Sequence, residues 1–214
     1  APLKRQLLLA RLIAALPSPV GEAPQPAQAV RLAAELARLL DQVQTERLSF
    51  EGLAALAPAE YAEHWQITIK FLEILTGAWP AILADEGAID PAYHRNLLFA
   101  AQIEAWRAAS PGPVIAAGST GSIPATADLL AAIADLPEGC VVLPGLDQEL
   151  DEDTWQHLDD THPQTGLKQL LAHLQIERGQ VKPWPVPGPA PTPRTRLVSE
   201  CMRPAAATDR WRDL

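Results

Sequence analysis

The residues most suited to chemistry are Gly118-Ser119-Thr120-Gly121-Ser122, two glycines and three hydroxyls in one short stretch. They follow the apolar run Pro113–Gly118 and precede Pro124, so they read as a turn from a strand into a helix. Phosphate groups bind at such turns in α/β folds, because unpaired N–H groups and the helix dipole both favour an anion. The details of the known motifs are missing. A P-loop needs GxxxxGK[ST], and no Lys or Arg follows before Lys168. A dinucleotide fingerprint needs GxGxxG, where this chain has GxxG. A nucleophile elbow needs GxSxG, but Ala117 and Thr120 stand two places before Ser119 and Ser122. The turn therefore reads first as an ordinary strand–helix connection. Nucleotide or phosphate-ligand binding through Gly118–Ser122 is the alternative function.

Other clusters carry less. Asp147, Glu149, Asp151 and Asp153 alternate like the start of a calcium loop, but Glu152 stands where Gly is needed and Leu158 where the closing Glu belongs. A solvated loop capping a helix at Asp151 or Asp153 fits better. His157 and His162 flank Asp159 and Asp160, yet their spacing does not place two ligands on one helical face. No Ser/His/Asp or Cys/His set assembles, so no catalytic residue and no metal ligand is assigned. Lys168, Arg194 and Arg196 are the candidate DNA contacts. The five Arg beyond residue 193 read first as a solvated helix face, and Trp65 and Trp106 as core.

The elements that position these residues fall into two kinds. Leu3, Leu7, Leu8, Ile13 and Leu16 follow a helical period ended by Pro17-Ser18-Pro19. Val30 to Val43 marks a second helix, and Leu48 to Leu56 a short third. A longer helix starts at Pro58 and buries Tyr61, Trp65, Ile69, Leu72 and Leu75, with a kink or break at Thr76–Pro80. Asp90-Pro91 opens a helix carrying Leu97, Leu98, Ile103 and Trp106. Beyond residue 110 the character changes. Val114–Gly118 and Cys140–Leu143 read as buried strands around a helix from Pro124 to Leu136, a βαβ unit with parallel strands and a right-handed crossover. Two strands make no stable sheet alone, so more strands must come from elsewhere. A helix over residues 164–174 follows. Proline at every odd position of 183–193 predicts an extended spacer, after which helical spacing resumes. The expected organisation is a helical subdomain over 1–110, a partial α/β unit over 111–182, a Pro-rich linker over 183–193 and a helical segment over 194–214.

Composition sets the outer limits. The chain has 214 residues, 48% hydrophobic and 20% charged, which is globular rather than disordered. Its net charge is −9, distributed as −3 over 1–110, −8 over 111–193 and +2 over 194–214. That excludes a uniformly basic nucleic-acid surface, but not a local one. Cys140 and Cys201 are too few for a zinc cluster or a disulfide framework, in keeping with a cytoplasmic chain. No apolar run approaches the ~20 residues of a membrane helix, so no membrane partner is expected. The chain starts and stops inside helical patterns, which suggests a piece of a longer polypeptide.

Several ordered strings resemble one family. Leu3–Leu12 (LKRQLLLARL), Pro113–Ala127 (PVIAAGSTGSIPATA), Val141–Asp147 (VVLPGLD), His162–Lys168 (HPQTGLK), Ser199–Ala205 (SECMRPA) and Asp209–Trp211 (DRW) look like the AddB family of helicase–nuclease subunits, alphaproteobacterial type. The resemblance implies a non-catalytic segment of the helicase-like half of a subunit that resects DNA double-strand breaks for recombination. Its partners would be an AddA-type helicase subunit and DNA. No cofactor is expected in this segment: ATP and magnesium would belong to the partner subunit, and an iron–sulfur cluster to a C-terminal nuclease not included here. The implied fold is mixed α/β and predominantly helical, a helical insertion followed by part of a RecA-like, P-loop NTPase-type sheet. The strand ending at Ala117-Gly118-Ser119 would then occupy the place of the magnesium-holding acids, and Pro144–Gln148 would loosely echo the Gly-Asp-x-x-Gln sensor. Without a carboxylate at the first place, such a domain holds no magnesium and polarises no water.

Overall fold

A computed structural model describes residues 2–15, 24–50, 74–184 and 192–213. The chain divides into two units, Ala1–Leu98 and Phe99–Leu214. The helix expected from Pro58 and most of the 183–193 spacer lie outside the described residues. So do residues 51–56 of the short helix; its first residues, Leu48 to Phe50, are not helical.

The first unit is helical. Helix α1 (Pro2–Ala15) packs against α2 (Pro26–Thr45), where the small Ala29 and Ala33 let the helices approach and Leu36 and Leu40 fill the seam. The buried stripe of α1 is Leu9, Ala10 and Ile13, while Leu3 and Leu7 point to solvent. The break expected at Thr76–Pro80 takes a definite form. A π turn, Ile74–Ala78, runs into α3 (Trp79–Asp85), whose first turn accommodates Pro80 and its missing N–H.

Helix α4 (Pro91–Ala108) begins at the expected Asp90-Pro91, but the Asp90 side chain does not cap it. The carboxylate is buried and turned inward. It accepts from Trp79 Nε1 and Gln44 Nε2, both at 2.9 Å, and pairs with Arg5 Nε at 2.8 Å. Arg5 also pairs with Asp41 at 2.9 Å. A buried carboxylate with a guanidinium and two N–H donors is better satisfied than one spent on a cap. The stripe expected on α4 is only partly interior: Ile103 is buried, Trp106 is half-buried, and Leu97 and Leu98 are exposed.

The second unit is mixed, mostly helical, with a small parallel sheet. Strand β1 (Val114–Ala117), helix α5 (Pro124–Ala134) and strand β2 (Gly139–Val142) form the expected βαβ unit, with β2 one residue earlier than the sequence suggested. The strands pair in parallel, Val114 opposite Gly139 and Ala117 opposite Val142. Gly139 is required by a close approach. A Cβ there would sit 1.7 Å from the Ile133 carbonyl oxygen, so the chain leaves α5 and enters β2 in a space no side chain fits.

Helix α6 (Glu152–Gln156) is capped by Asp151, whose Oδ1 accepts from Thr154 N at 2.9 Å. Helix α7 (Thr165–His173) follows the expected course. Together α5 and α7 cover one face of the sheet through Ala127, Leu130 and Leu170, packed on Ala116, Val141 and Leu143. A second cluster, Leu150, Trp155, Leu158 and Leu171, fills the space behind the loop after β2. Ile115, on the opposite face, is 65% exposed. Helix α8 (Pro193–Cys201) starts at the last residue expected to belong to the spacer, because Thr192 caps it through Oγ1 and Pro193 fits its first turn. Pro204 ends this run, and a 3₁₀ segment, Ala205–Asp213, takes over. No helix among the described residues is long and apolar enough to cross a membrane.

Candidate functional site

The C-terminal end of the sheet is where an α/β fold of this type places its ligand. Strand β1 delivers Ala117, Gly118 and Ser119 there, so no carboxylate stands at its tip. Gly118 N donates to Val142 O at 3.2 Å, which extends the ladder past β1. Gly118 and Gly121 have φ of +80° and +63°, and Ser119 Oγ accepts from Gly121 N at 3.2 Å, closing the turn on itself. Gly121 also packs against Leu170, whose methyl would lie 2.6 Å from an added Cβ. The first-turn donors of α5 are largely engaged. Pro124 has no N–H, Thr126 N and Ala127 N both donate to Ile123 O at 2.9 Å, and Ala125 is fully buried. The turn Ser119–Ser122 is thus closed by one internal hydrogen bond, with Thr120 and Ser122 exposed.

Strand β2 delivers Leu143-Pro144-Gly145-Leu146-Asp147-Gln148. Asp147 Oδ1 accepts from Glu149 N at 2.8 Å and Leu150 N at 3.2 Å, and Oδ2 accepts from Ser199 Oγ at 2.6 Å. Gln148 Nε2 donates to Val181 O at 2.8 Å. The Gln164 side chain spans the loop, accepting from Asp147 N at 3.0 Å and donating to Gly145 O at 2.9 Å. The two residues that echo a nucleotide sensor are therefore committed to holding the loop and α8.

The densest polar arrangement is one the sequence did not single out. Arg203 is buried, against the expectation of a solvated arginine face. Its Nη1 donates to Asp151 Oδ2 and Thr154 Oγ1, both at 2.6 Å, and its Nη2 to Glu200 Oε1 at 2.7 Å. The Arg203 hydrogen bond, with help from Thr154 N–H, holds the Asp151 carboxyl well below the usual carboxylate range. Glu200 first, then Asp151, raises Arg203 in turn. Beside this cluster, Arg178 stacks its guanidinium 4.7 Å from the centre of the Trp155 ring. His162 Nε2 meets Met202 O at 2.6 Å while its Nδ1 accepts from Gln164 N at 3.1 Å. Burial of an arginine leaves no periodic trace in the sequence, which is why it was missed.

The remaining candidates are dispersed. Lys168 Nζ donates to Gln156 O at 2.8 Å. Arg194 is exposed, and Arg196 stands 3.9 Å from Glu149. Nothing brings these three together. His157 Nδ1 lies 2.8 Å from Asp153 O, and Thr161, through its hydroxyl and then its N–H, lowers the exposed Asp159. Among the described residues no group of three His, Cys, Asp or Glu side chains is placed to hold a metal ion. No protein-family model, curated protein or solved structure matches the chain.

Proposed function

We propose that this chain is a non-hydrolysing α/β and helical segment of a helicase-like protein, serving as a scaffold rather than a motor. More specifically, it would belong to the helicase-like half of an AddB-type subunit, resecting DNA double-strand breaks with an AddA-type helicase. One observation carries the reading. Strand β1 of the parallel β1–α5–β2 unit runs into Ala117-Gly118-Ser119, where an ATPase of this architecture needs an acid, and Asp147, beyond β2, is spent on Ser199 and two backbone N–H groups. The ordered strings that resemble the AddB family give it its direction. A RecA-like sheet would need strands beyond the two described, and β2 has one edge left unpaired by β1.

The alternative, a nucleotide or phosphate-ligand domain, is weaker because no Lys or Arg follows the Gly118–Ser122 turn before Lys168. Two measurements test the proposal. The purified chain with Mg-ATP should release no phosphate above a blank, and it should co-elute with a purified AddA-type subunit in size-exclusion chromatography. Magnesium-dependent ATP cleavage lost on Gly121→Arg would overturn the scaffold reading in favour of the alternative. Failure to co-elute would overturn the assignment to an AddB-type subunit.

A further inference from the structure

Strand β2 keeps a free backbone edge. In the parallel ladder Val114 N donates to Glu138 O at 3.1 Å and Gly118 N to Val142 O at 3.2 Å, so Cys140 and Val142 turn their N–H and C=O groups toward β1. Val141 between them, and Leu143 after them, turn theirs the other way. No hydrogen bond meets those groups among the described residues. Val141 is half-buried, so its amide and carbonyl are polar groups partly withdrawn from water without a partner. Free edges are ordinarily guarded by a charge, a proline or a bulge. The stretch Gly139-Cys140-Val141-Val142-Leu143 carries no charge and no proline, and its register against β1 runs without a bulge. Beside this edge lies a cavity of about 690 Å³, walled by Leu146, Leu171, Ile176, Val181 and Trp184. The hydrogen bond from Gln148 to Val181 O ties its far wall to the loop after β2.

We infer that this edge and cavity bind an extended segment of a partner protein, added beside β2 as a third strand, with apolar side chains at alternate positions and one carboxylate for Lys182. The unpaired amide and carbonyl of Val141 select the form of the occupant. A strand brings backbone groups that complete the ladder, whereas a helix spends its own internally. The cavity walls select its side chains, because every second residue of an added strand points to the same side and there meets Leu146, Leu171 or Val181. Charge selects the rest. Lys182 is the one charged residue among those lining the cavity, exposed and with no ion pair among the described residues. An acid on the incoming strand completes it, and a lysine there is repelled. The inference rests on the β2 edge alone and is independent of the helicase-like reading.

The test uses fluorescence anisotropy of the whole chain with a labelled peptide of about seven residues, alternating valine and threonine with one glutamate. Binding should fall about tenfold in Val141→Pro, which removes the N–H on the free edge and none of the bonds to β1. That variant should keep the wild-type thermal melt. A second arm needs no variant to fold. Of two peptides N-methylated at alternate residues, one in each frame, the one methylated on the side facing β2 should not bind the wild-type chain, because it keeps every side chain and loses the ladder. Lys182→Glu should weaken binding several-fold and favour a peptide with lysine in place of the glutamate. Each of the following overturns the inference: no binding of the parent peptide, binding of both N-methylated peptides as tightly as the parent, or unchanged binding by Val141→Pro or by Lys182→Glu. It is also overturned if sedimentation shows a dimer dissolved by Val141→Pro, which would make a second copy the occupant.

Discussion

Replacing Arg203 by Met tests how the second unit holds its C-terminal segment. The guanidinium makes three hydrogen bonds to two carboxylates, one to Asp151 and two to Glu200, and one to Thr154 Oγ1, with only 3% of its side chain in water. Hydrogen bonds to charged groups contribute about 1.5 kcal/mol or more each, so the two carboxylate partners, each counted once, are together worth about 3 kcal/mol. That is the lower end for breaking a buried pair, as expected when Asp151 keeps 23% and Glu200 25% of its side chain exposed and each can rehydrate. With a urea m-value of about 2 kcal/mol/M, the midpoint at pH 7 should fall by about 1.5 M, followed by tryptophan emission. Arg203→Lys should recover part of this, since one ammonium cannot serve both carboxylates in the fork geometry.

The same pair makes a signed pH prediction. The folded Asp151 carboxyl is depressed below its unfolded value of about 3.9, so its contribution is complete above about pH 5 and is lost as pH falls. The stability gap between wild type and Arg203→Met should therefore shrink between about pH 5 and pH 2. A midpoint change under about 0.3 M at pH 7, or a gap that widens in acid, would refute the clamp.

Two further substitutions probe the two units separately. Asp90→Ala in the first unit leaves Arg5, Gln44 and Trp79 Nε1 without their shared acceptor and should cost about 3–5 kcal/mol by urea titration; a loss below about 1 kcal/mol would show the cluster to be incidental. Gly139→Ala in the second unit drives a methyl onto the Ile133 carbonyl and should cost at least about 2 kcal/mol by thermal melting. Gly166→Ala, in open space within α7, should be neutral or stabilise by about 0.5–1 kcal/mol. Equal effects at the two glycines would contradict the close approach.

The elements were legible where one local signal decided them. Pro124 and Gly118 bracket the turn before α5, Asp151 caps α6 as an acid in that loop should, and alternation of strand, helix and strand specified a parallel pair. Partnering at long range was not legible. Asp90 sits at the expected helix start, yet its side chain answers to Arg5 and Gln44, positions far off in sequence. Arg203 reads like any arginine of a polar helix until Asp151 and Thr154 are brought beside it. The helical period likewise located α1 but not its inward side, where Leu9 and Ala10 are buried while Leu3 and Leu7 are exposed, because period alone does not say what waits across the interface.

The way α8 is attached also sets its response to temperature. Unfolding a packed apolar core carries a large heat-capacity change, so its stability curves with temperature and weakens in the cold. An attachment made by Ser199, Arg203, His162 and their oxygen partners uncovers little apolar surface when it lets go, so its free energy should be nearly flat across the same range. Acid acts the other way round, protonating Asp151 and so weakening its pair with Arg203 while leaving the leucine-lined cores almost untouched. Cooling and acid are therefore two separate controls. One loosens the apolar core, and the other weakens the attachment of the helix.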